Sequence, residues 1–312
     1  MNFNKPIDEQ NSVECTQRRL IAKFCSNFSI EVTPKSLQKH RDLSSIIRKG
    51  TAVYITCIPG TDFEDTIHAA ERLRNEGYEP VPHIAVRNFL DVSCVELALA
   101  RLKDRAGIEQ IMLIAGGLSK PEGALSNTMQ FLETGHIDRW GIKRVGIAGH
   151  PEGSPDIKPE EVRHALQWKN EFARRSDASF HIVTQFCFEA EPIITWDKTI
   201  QREGNRLPIH IGIPGPASIK TLLNYAKACG IGASSRFLVK QARSVSKLLT
   251  RSAPDRLVRD LANYRATSPG CGISQMHMFP LGGLEASASW AYAAAEGRFA
   301  VNPDGGFSIN AS

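Results

Sequence analysis

The sequence predicts one closed (β/α)8 TIM barrel with extra helices before the last strand, and three observations carry that reading. Short β-rich runs alternate with amphipathic segments along nearly the whole chain: "FSIEV", "AVYITC", "EPVPHIAV", "QIMLIAGG", "RVGIAG", "FHIVTQFCF", "PIHIGI" and "SQMHMFPL". These runs are almost continuously apolar, as strands buried on both faces must be. No sharp change of composition divides the chain, so eight β-then-α units close more naturally into one barrel than into two small domains, with a doubly wound open sheet as the alternative.

The helices between the runs carry their own punctuation. "DFEDTIHAAERLRNEG" has an acidic first turn and a glycine stop at Gly77, and "PEEVRHALQWKNEFARR" begins on a proline. Between Ile213 and Ser274 the repeat is interrupted by "ASIKTLLNYAKACG", "SSRFLVKQARSVSKLLT" and "APDRLVRDLANY", which read as helices added before the barrel closes. The expected organisation is an N-terminal helix and lead-in over 1–27, the catalytic barrel over 28–299 and a frayed C-terminal tail over 300–312.

Composition narrows the function classes. With 42% hydrophobic and 23% charged residues the chain is an ordinary globular sequence. No apolar run reaches the roughly 20 residues of a membrane span, and "MNFNKPIDEQ" lacks the basic-then-apolar order of a signal peptide. A cytoplasmic protein without membrane partners is expected. The seven cysteines are spread singly without a CxxC pair, which argues against disulfides and structural zinc. A formal net charge of +5, with its basic residues on helix faces, gives little support to nucleic-acid binding and suits an anionic small molecule.

Barrel chemistry gathers at the C-terminal ends of the strands. The polar residues there are Glu31, Thr56, His83 with Arg87, Gly116 with Gly117, His150 with Glu152, Gln185, and Gly215. Glu31 lies in an apolar strand, where an isolated carboxylate is costly and suits a general acid; a strand-end Glu facing water is the alternative. His83 reads either as a core histidine or as a catalytic one. Gln185 offers an amide able to read the edge of a heterocycle or to make a structural hydrogen bond. The glycines of "AGG" and "PGPAS" leave backbone open to a flat ring or a phosphate. His83, His150, His181 and Glu152 are the candidate metal ligands, but no HxxxH or CxxH spacing unites them, and no metal is expected. GxGxxG, GxxxxGK[ST] and GxSxG are absent, so dinucleotide, P-loop and hydrolase-elbow chemistry lack support.

Taken together, "FSIEVTP", "VYITC", "PHIAVRN", "LIAGG", "VGIAGHPEGSPDI", "IVTQFCFEAEP", "IGIPGPAS" and "HMFPLGG" resemble the 5,10-methylenetetrahydrofolate reductase family, over roughly residues 28–284. The pairing of "GIAGHPEG" with "TQFCFE" one strand later is the most specific piece. The resemblance implies an enzyme of one-carbon metabolism, serving methionine biosynthesis, that interconverts 5,10-methylenetetrahydrofolate and 5-methyltetrahydrofolate. It implies FAD as cofactor, NADH or NADPH as co-substrate, a tetrahydrofolate-type substrate and, because the family is commonly oligomeric, a homo-oligomer. Glu31 takes the place of the acid that opens the methylene bridge. Gln185 matches the amide on the pterin, with Gly117 and Phe279 also on the substrate side. Thr56, His83, Ala115, Gly116, His150 and Lys169 fall at cofactor positions, His150 where the family commonly has a tyrosine.

The chain also departs from the family. The fourth strand there often ends in an aspartate, whereas Ala115, Gly116 and Gly117 supply no carboxylate here. The helix after the fifth strand reads "QWKNEFARR", in which Lys169 is basic but Asn170 and Glu171 add no positive charge near a flavin phosphate. Alternatives to an FAD reductase therefore stand beside it: direct hydride transfer from nicotinamide to folate, methyltetrahydrofolate oxidation in methyl-group catabolism, and a non-catalytic folate- or flavin-binding barrel.

Overall fold

In a computed structural model, residues 5–231, 235–241, 248–302 and 306–309 are described. Eight strands form a closed barrel in the hydrogen-bonded order β1-β10-β7-β6-β5-β4-β3-β2. They are β1 (Phe28–Val32), β2 (Ala52–Ile55), β3 (Glu79–Ala85), β4 (Gln110–Ile114), β5 (Arg144–Gly149), β6 (Ser179–Phe186), β7 (Ile209–Pro214) and β10 (Ile273–Phe279). Each coincides with one of the eight apolar runs. The ladders from β1 through β6 are parallel, as short strands joined by helical crossovers must be. The architecture is a (β/α)8 TIM barrel.

Two compact units divide the chain. One comprises Ser29–Gln185 and Asn205–His210. Its helices obey simple end rules. Helix Phe63–Asn75 is capped by Asp62, whose side chain accepts from the Glu64 amide at 2.9 Å, with Glu64 and Asp65 in the first turn and Arg72 and Arg74 in the last. Helix Val92–Ala106 starts on Asp91 and stops at Gly107 in the left-handed conformation. Helix Pro159–Ala173 begins on its proline. An inner cluster of Tyr54, Val81, Met112 and Val183 joins β2, β3, β4 and β6. Fully burying four such side chains stabilises the fold by about 1.5–3 kcal/mol each.

The other unit comprises Met1–Phe28, Phe186–Gly204 and Ile211–Ser312. Its N-terminal helix, Lys5–Cys25, packs on helices Asp255–Thr267 and Leu284–Ala295. The inserted segments supply helices Ile219–Ala228, Ser235–Gln241 and Asp255–Thr267, together with a two-stranded pair of β8 (Ala217–Ser218) and β9 (Arg251–Ser252). Part of the predicted "SSRFLVKQARSVSKLLT" helix, residues 234 and 242–247, lies outside the described residues. The tail does not fray throughout as expected. Strand β12 (Phe307–Ile309) pairs antiparallel with β11 (Phe299–Val301), and Phe307 is buried against Phe299 and Trp290, with ring centroids 4.6 and 5.7 Å away. Two aromatic side chains give the tail an apolar anchor that its "NPDGG" composition conceals.

Asp197 is the buried polar centre of this second unit. It is fully buried, and its oxygens accept from the Tyr264 hydroxyl (2.8 Å), Gln201 Nε2 (3.0 Å) and the Gly272 amide (3.2 and 3.3 Å). Burial together with the Asp197 carboxylate pushes the Tyr264 phenol upward, so its proton stays in this hydrogen bond. Asp197→Ala strands three donors at once and is expected to cost about 3 kcal/mol, read as a lower urea midpoint, with Asp197→Asn costing less.

Candidate functional site

Register brings three of the selected side chains together. Glu31 on β1 pairs with Tyr54 on β2, and Thr56, two residues further, shares Tyr54's face. The Thr56 amide extends the ladder by donating to the Val32 carbonyl at 2.8 Å. Thr56 Oγ1 donates to Glu31 Oε2 at 3.0 Å, and His83 Nε2, on the next strand, lies 3.5 Å from Glu31 Oε1. The Glu31 side chain is 12% exposed, which decides between the two sequence readings: this carboxyl does not simply face water. It is held among strands by a hydroxyl and an imidazole. His83, which the resemblance puts at the cofactor, directs its ring to Glu31 and meets Tyr54 edge-on.

Beneath this trio lies a polar network that the sequence reading missed. Tyr54 OH and His181 Nε2 are 2.9 Å apart, Gln110 Nε2 donates to the same hydroxyl at 3.3 Å, and the His181 and His210 rings lie 4.2 Å apart. Burial pushes the Tyr54 phenol upward, and the charge of Glu31 adds to it. The available signal was the two-residue period: Tyr54 precedes Thr56 by two, and His181 precedes Gln185 by four, so each pair shares a face. His181 is therefore a partner of Tyr54. Among the described residues, no three or more His, Cys, Asp or Glu side chains gather as metal ligands.

The end of β4 is built as a backbone platform. Arg87, noted only as a strand-end polar residue, clasps the loop that follows: its Nε donates to Ser126 O (2.7 Å), its Nη1 to Leu118 O (3.2 Å) and its amide to Ala115 O (2.9 Å). Gly116 has φ +101°, and a Cβ there would lie 3.1 Å from Ala85 Cβ and from Asn88 Oδ1. Gly117 is different: its φ is not positive, and a Cβ would meet only Pro59 at 3.6 Å.

His150 and Lys169 form a second group. Lys169 is 8% exposed, and burial alone lowers its pKa to about 8, with no carboxylate offsetting the loss of water. Desolvation and the Lys169 charge push the half-buried His150 down to about 4, so its imidazole is neutral near pH 7. A buried cation beside a neutral ring, with no counter-charge shifting it among the described residues, is a group able to hold an anion. Glu152 sits half-buried in the turn closed by Gly153 N donating to His150 O at 3.1 Å.

Gln185 closes the inner face of β6, two residues past Val183. Phe279 belongs to the other unit, where its ring meets Phe186 (5.3 Å) and His277 (5.0 Å) within an apolar cluster. That unit also contains a cavity of about 580 Å³ lined by Phe188, Asp255, Leu257 and Phe307 among others. Burial raises the Asp255 carboxyl to about 6, although the Trp290 indole donates to it at 2.9 Å. Of the strand-end residues picked from the sequence, Gly215 lines this cavity, whereas Glu31, Thr56, His83, His150, Lys169, Gln185 and Phe279 do not.

No known protein-family profile matches the chain. Among solved structures, it is similar to an uncharacterized protein from Clostridium thermocellum that binds two copies of 5-methyl-5,6,7,8-tetrahydrofolic acid. The TM-score is 0.56 at 14% identity, over 88% of this chain and 97% of that one. At this identity, the likeness is one of fold. No described helix is long and apolar enough to cross a membrane.

Two predictions follow from the charges and glycines. Because its folded pKa is depressed, Lys169 destabilises the apo fold most below pH 8, and the penalty disappears as pH rises toward the unfolded value near 10. Lys169→Met should therefore stabilise the apo protein at pH 7 by on the order of 3 kcal/mol at most, read as a higher thermal midpoint, and the gain should shrink above pH 10. Gly117→Asp should leave stability within about 0.5 kcal/mol of wild type, whereas Gly116→Ala should lose about 1–3 kcal/mol through its left-handed φ; thermal unfolding of both variants checks this.

Proposed function

We propose that this chain is an oxidoreductase interconverting 5,10-methylenetetrahydrofolate and 5-methyltetrahydrofolate, with NADH or NADPH as electron source. The observation that carries the reading is the enclosed Glu31 carboxyl, held by Thr56 and His83 at the ends of adjacent parallel strands. The C. thermocellum protein supports the ligand class, since it binds 5-methyltetrahydrofolate on a similar fold.

Glu31 is the proton donor in this scheme. Thr56 holds Oε2, so Oε1, on the His83 side, carries the mobile proton. Transfer of that proton to the folate N10 accompanies cleavage of its bond to the methylene carbon, and the bonding electron pair stays on nitrogen. The N5 iminium that remains accepts a hydride and becomes the methyl group. His83, in contact with the carboxylate that results, is placed to return a proton to it. Gln185 fixes the pterin edge through its amide. Bound FAD would supply the hydride carrier between nicotinamide and folate, with Lys169 holding its phosphate and Thr56, Ala115, Gly116 and His150 lying along it.

A second reading is direct hydride transfer from nicotinamide to folate. The observation favouring it is the end of β4, where Ala115, Gly116 and Gly117 replace the carboxylate that the resembled family often carries. The visible spectrum of the purified protein separates the two readings. A flavin band, or its appearance on adding FAD, supports the first, and NADH oxidation by a colourless protein supports the second. Glu31→Gln is expected to lower folate turnover at least about a hundred-fold while leaving folate binding intact. Near-wild-type turnover in that variant eliminates Glu31 as the acid, and a wild-type protein inactive in both directions eliminates the oxidoreductase reading.

A further inference from the structure

The cavity of about 580 Å³ in the second unit is lined by none of the residues in this reaction scheme. Its volume is that of a small-molecule site. Phe188 and Leu222 bring one hydrophobic cluster to its wall, and Leu257 and Phe307 add further apolar surface. Glu189, Glu191 and Asp255 set carboxyls in the same wall against the guanidinium of Arg256. Asp260 lines it too, but is ion-paired with Arg259 at 2.6 Å.

Two of these acids have an ordinary explanation. Glu189 and Glu191 stand exposed at the start of helix Ala190–Arg202, where negative charge complements the helix dipole. Asp255 opens helix Asp255–Thr267 in the same way, yet it is drawn out of water: burial outweighs the hydrogen bond from the Trp290 indole and raises its carboxyl. That bond fixes Oδ1 at 2.9 Å. No other residue among those described donates to the carboxyl, and Oδ2 is not a sealed atom, so it is open to the cavity that Asp255 lines. A half-desolvated carboxylate with one oxygen anchored and the other free, set among apolar side chains, is a poor structural bargain and a good receptor for a donor.

We propose that this cavity is a second small-molecule site, which takes an organic monocation with a compact apolar body. Its ammonium group donates to Asp255 Oδ2, and its apolar part lies against Phe188, Leu222, Leu257 and Phe307. The exposed carboxylates of Glu189 and Glu191 at the rim favour the same sign of charge, and they disfavour an anion at the entrance. The proposal does not rest on the folate reading, since the two sites share no residue.

Calorimetric titration of the full chain with 2-phenylethylamine, 2-phenylethanol and 3-phenylpropionate tests the proposal near pH 8, where Asp255, raised to about 6 by burial, is ionised. The amine should bind saturably with a dissociation constant of about 1 mM or tighter, and the isosteric alcohol and the acid at least about tenfold more weakly. Asp255→Asn keeps an acceptor for Trp290 and removes the charge, so it should weaken amine binding about tenfold or more while changing alcohol binding less than about threefold. Ile194, on the cavity wall from helix Ala190–Arg202, gives a second variant: Ile194→Trp fills the space and should abolish amine binding, which carries the comparison if Asp255→Asn does not fold. Absence of saturable amine binding to wild type, equal affinity for amine and alcohol, or unchanged amine affinity in a folded variant of either kind overturns the proposal.

Discussion

A carboxyl group removed from water must find its hydrogen bonds among its neighbours, and the candidate site depends on how β1, β2 and β3 meet that demand for Glu31. Parallel register places Thr56 and His83 on the strands that follow Glu31 in the barrel, each within reach of a different carboxyl oxygen. Because the partners come from separate strands, the arrangement exists only when the ladder is formed in register. A one-residue slip of β2 would turn Thr56 away and present Ile55 in its place. Fold and chemistry are therefore coupled at this point: the hydrogen bonds that align the strands also orient the acid.

Below the trio the inner face is polar as well as apolar. Tyr54 packs with Val81, Met112 and Val183, yet its hydroxyl reaches His181 and Gln110. Such a layer is more demanding than a purely aliphatic one, because each donor and acceptor must be matched in a poorly solvated interior. It also gives Glu31 a neighbour whose raised phenol remains protonated. His150 and Lys169 show the opposite use of burial, with a cation kept short of water and its neighbouring imidazole held neutral.

Much of this was legible in the sequence for physical reasons. Strands buried on both faces produce uninterrupted apolar runs, so all eight barrel strands stood out, and acidic first turns and glycine stops located helices such as Phe63–Asn75. Strand ends identified Glu31, Thr56 and His83 singly. Their association was not readable, because it depends on register between strands that are distant in the chain. The role of Arg87 was hidden for a related reason: its partners are backbone carbonyls of Leu118 and Ser126, which have no residue-specific signature. The paired tail strand was concealed behind turn-forming residues, and only Phe307 hinted that it had somewhere to pack.

The Arg87 clasp has a consequence for how this protein could vary. A single guanidinium and its own backbone fasten the start, middle and end of the segment from Ala115 to Ser126, and Gly123 is pressed against the Leu90 backbone so closely that no side chain would fit. The segment after β4 is thus not an independent module that could be exchanged with that of another barrel. It and the turn after β3 form one inheritable block, and a transplant of either would succeed only if Arg87 and Gly123 travelled together.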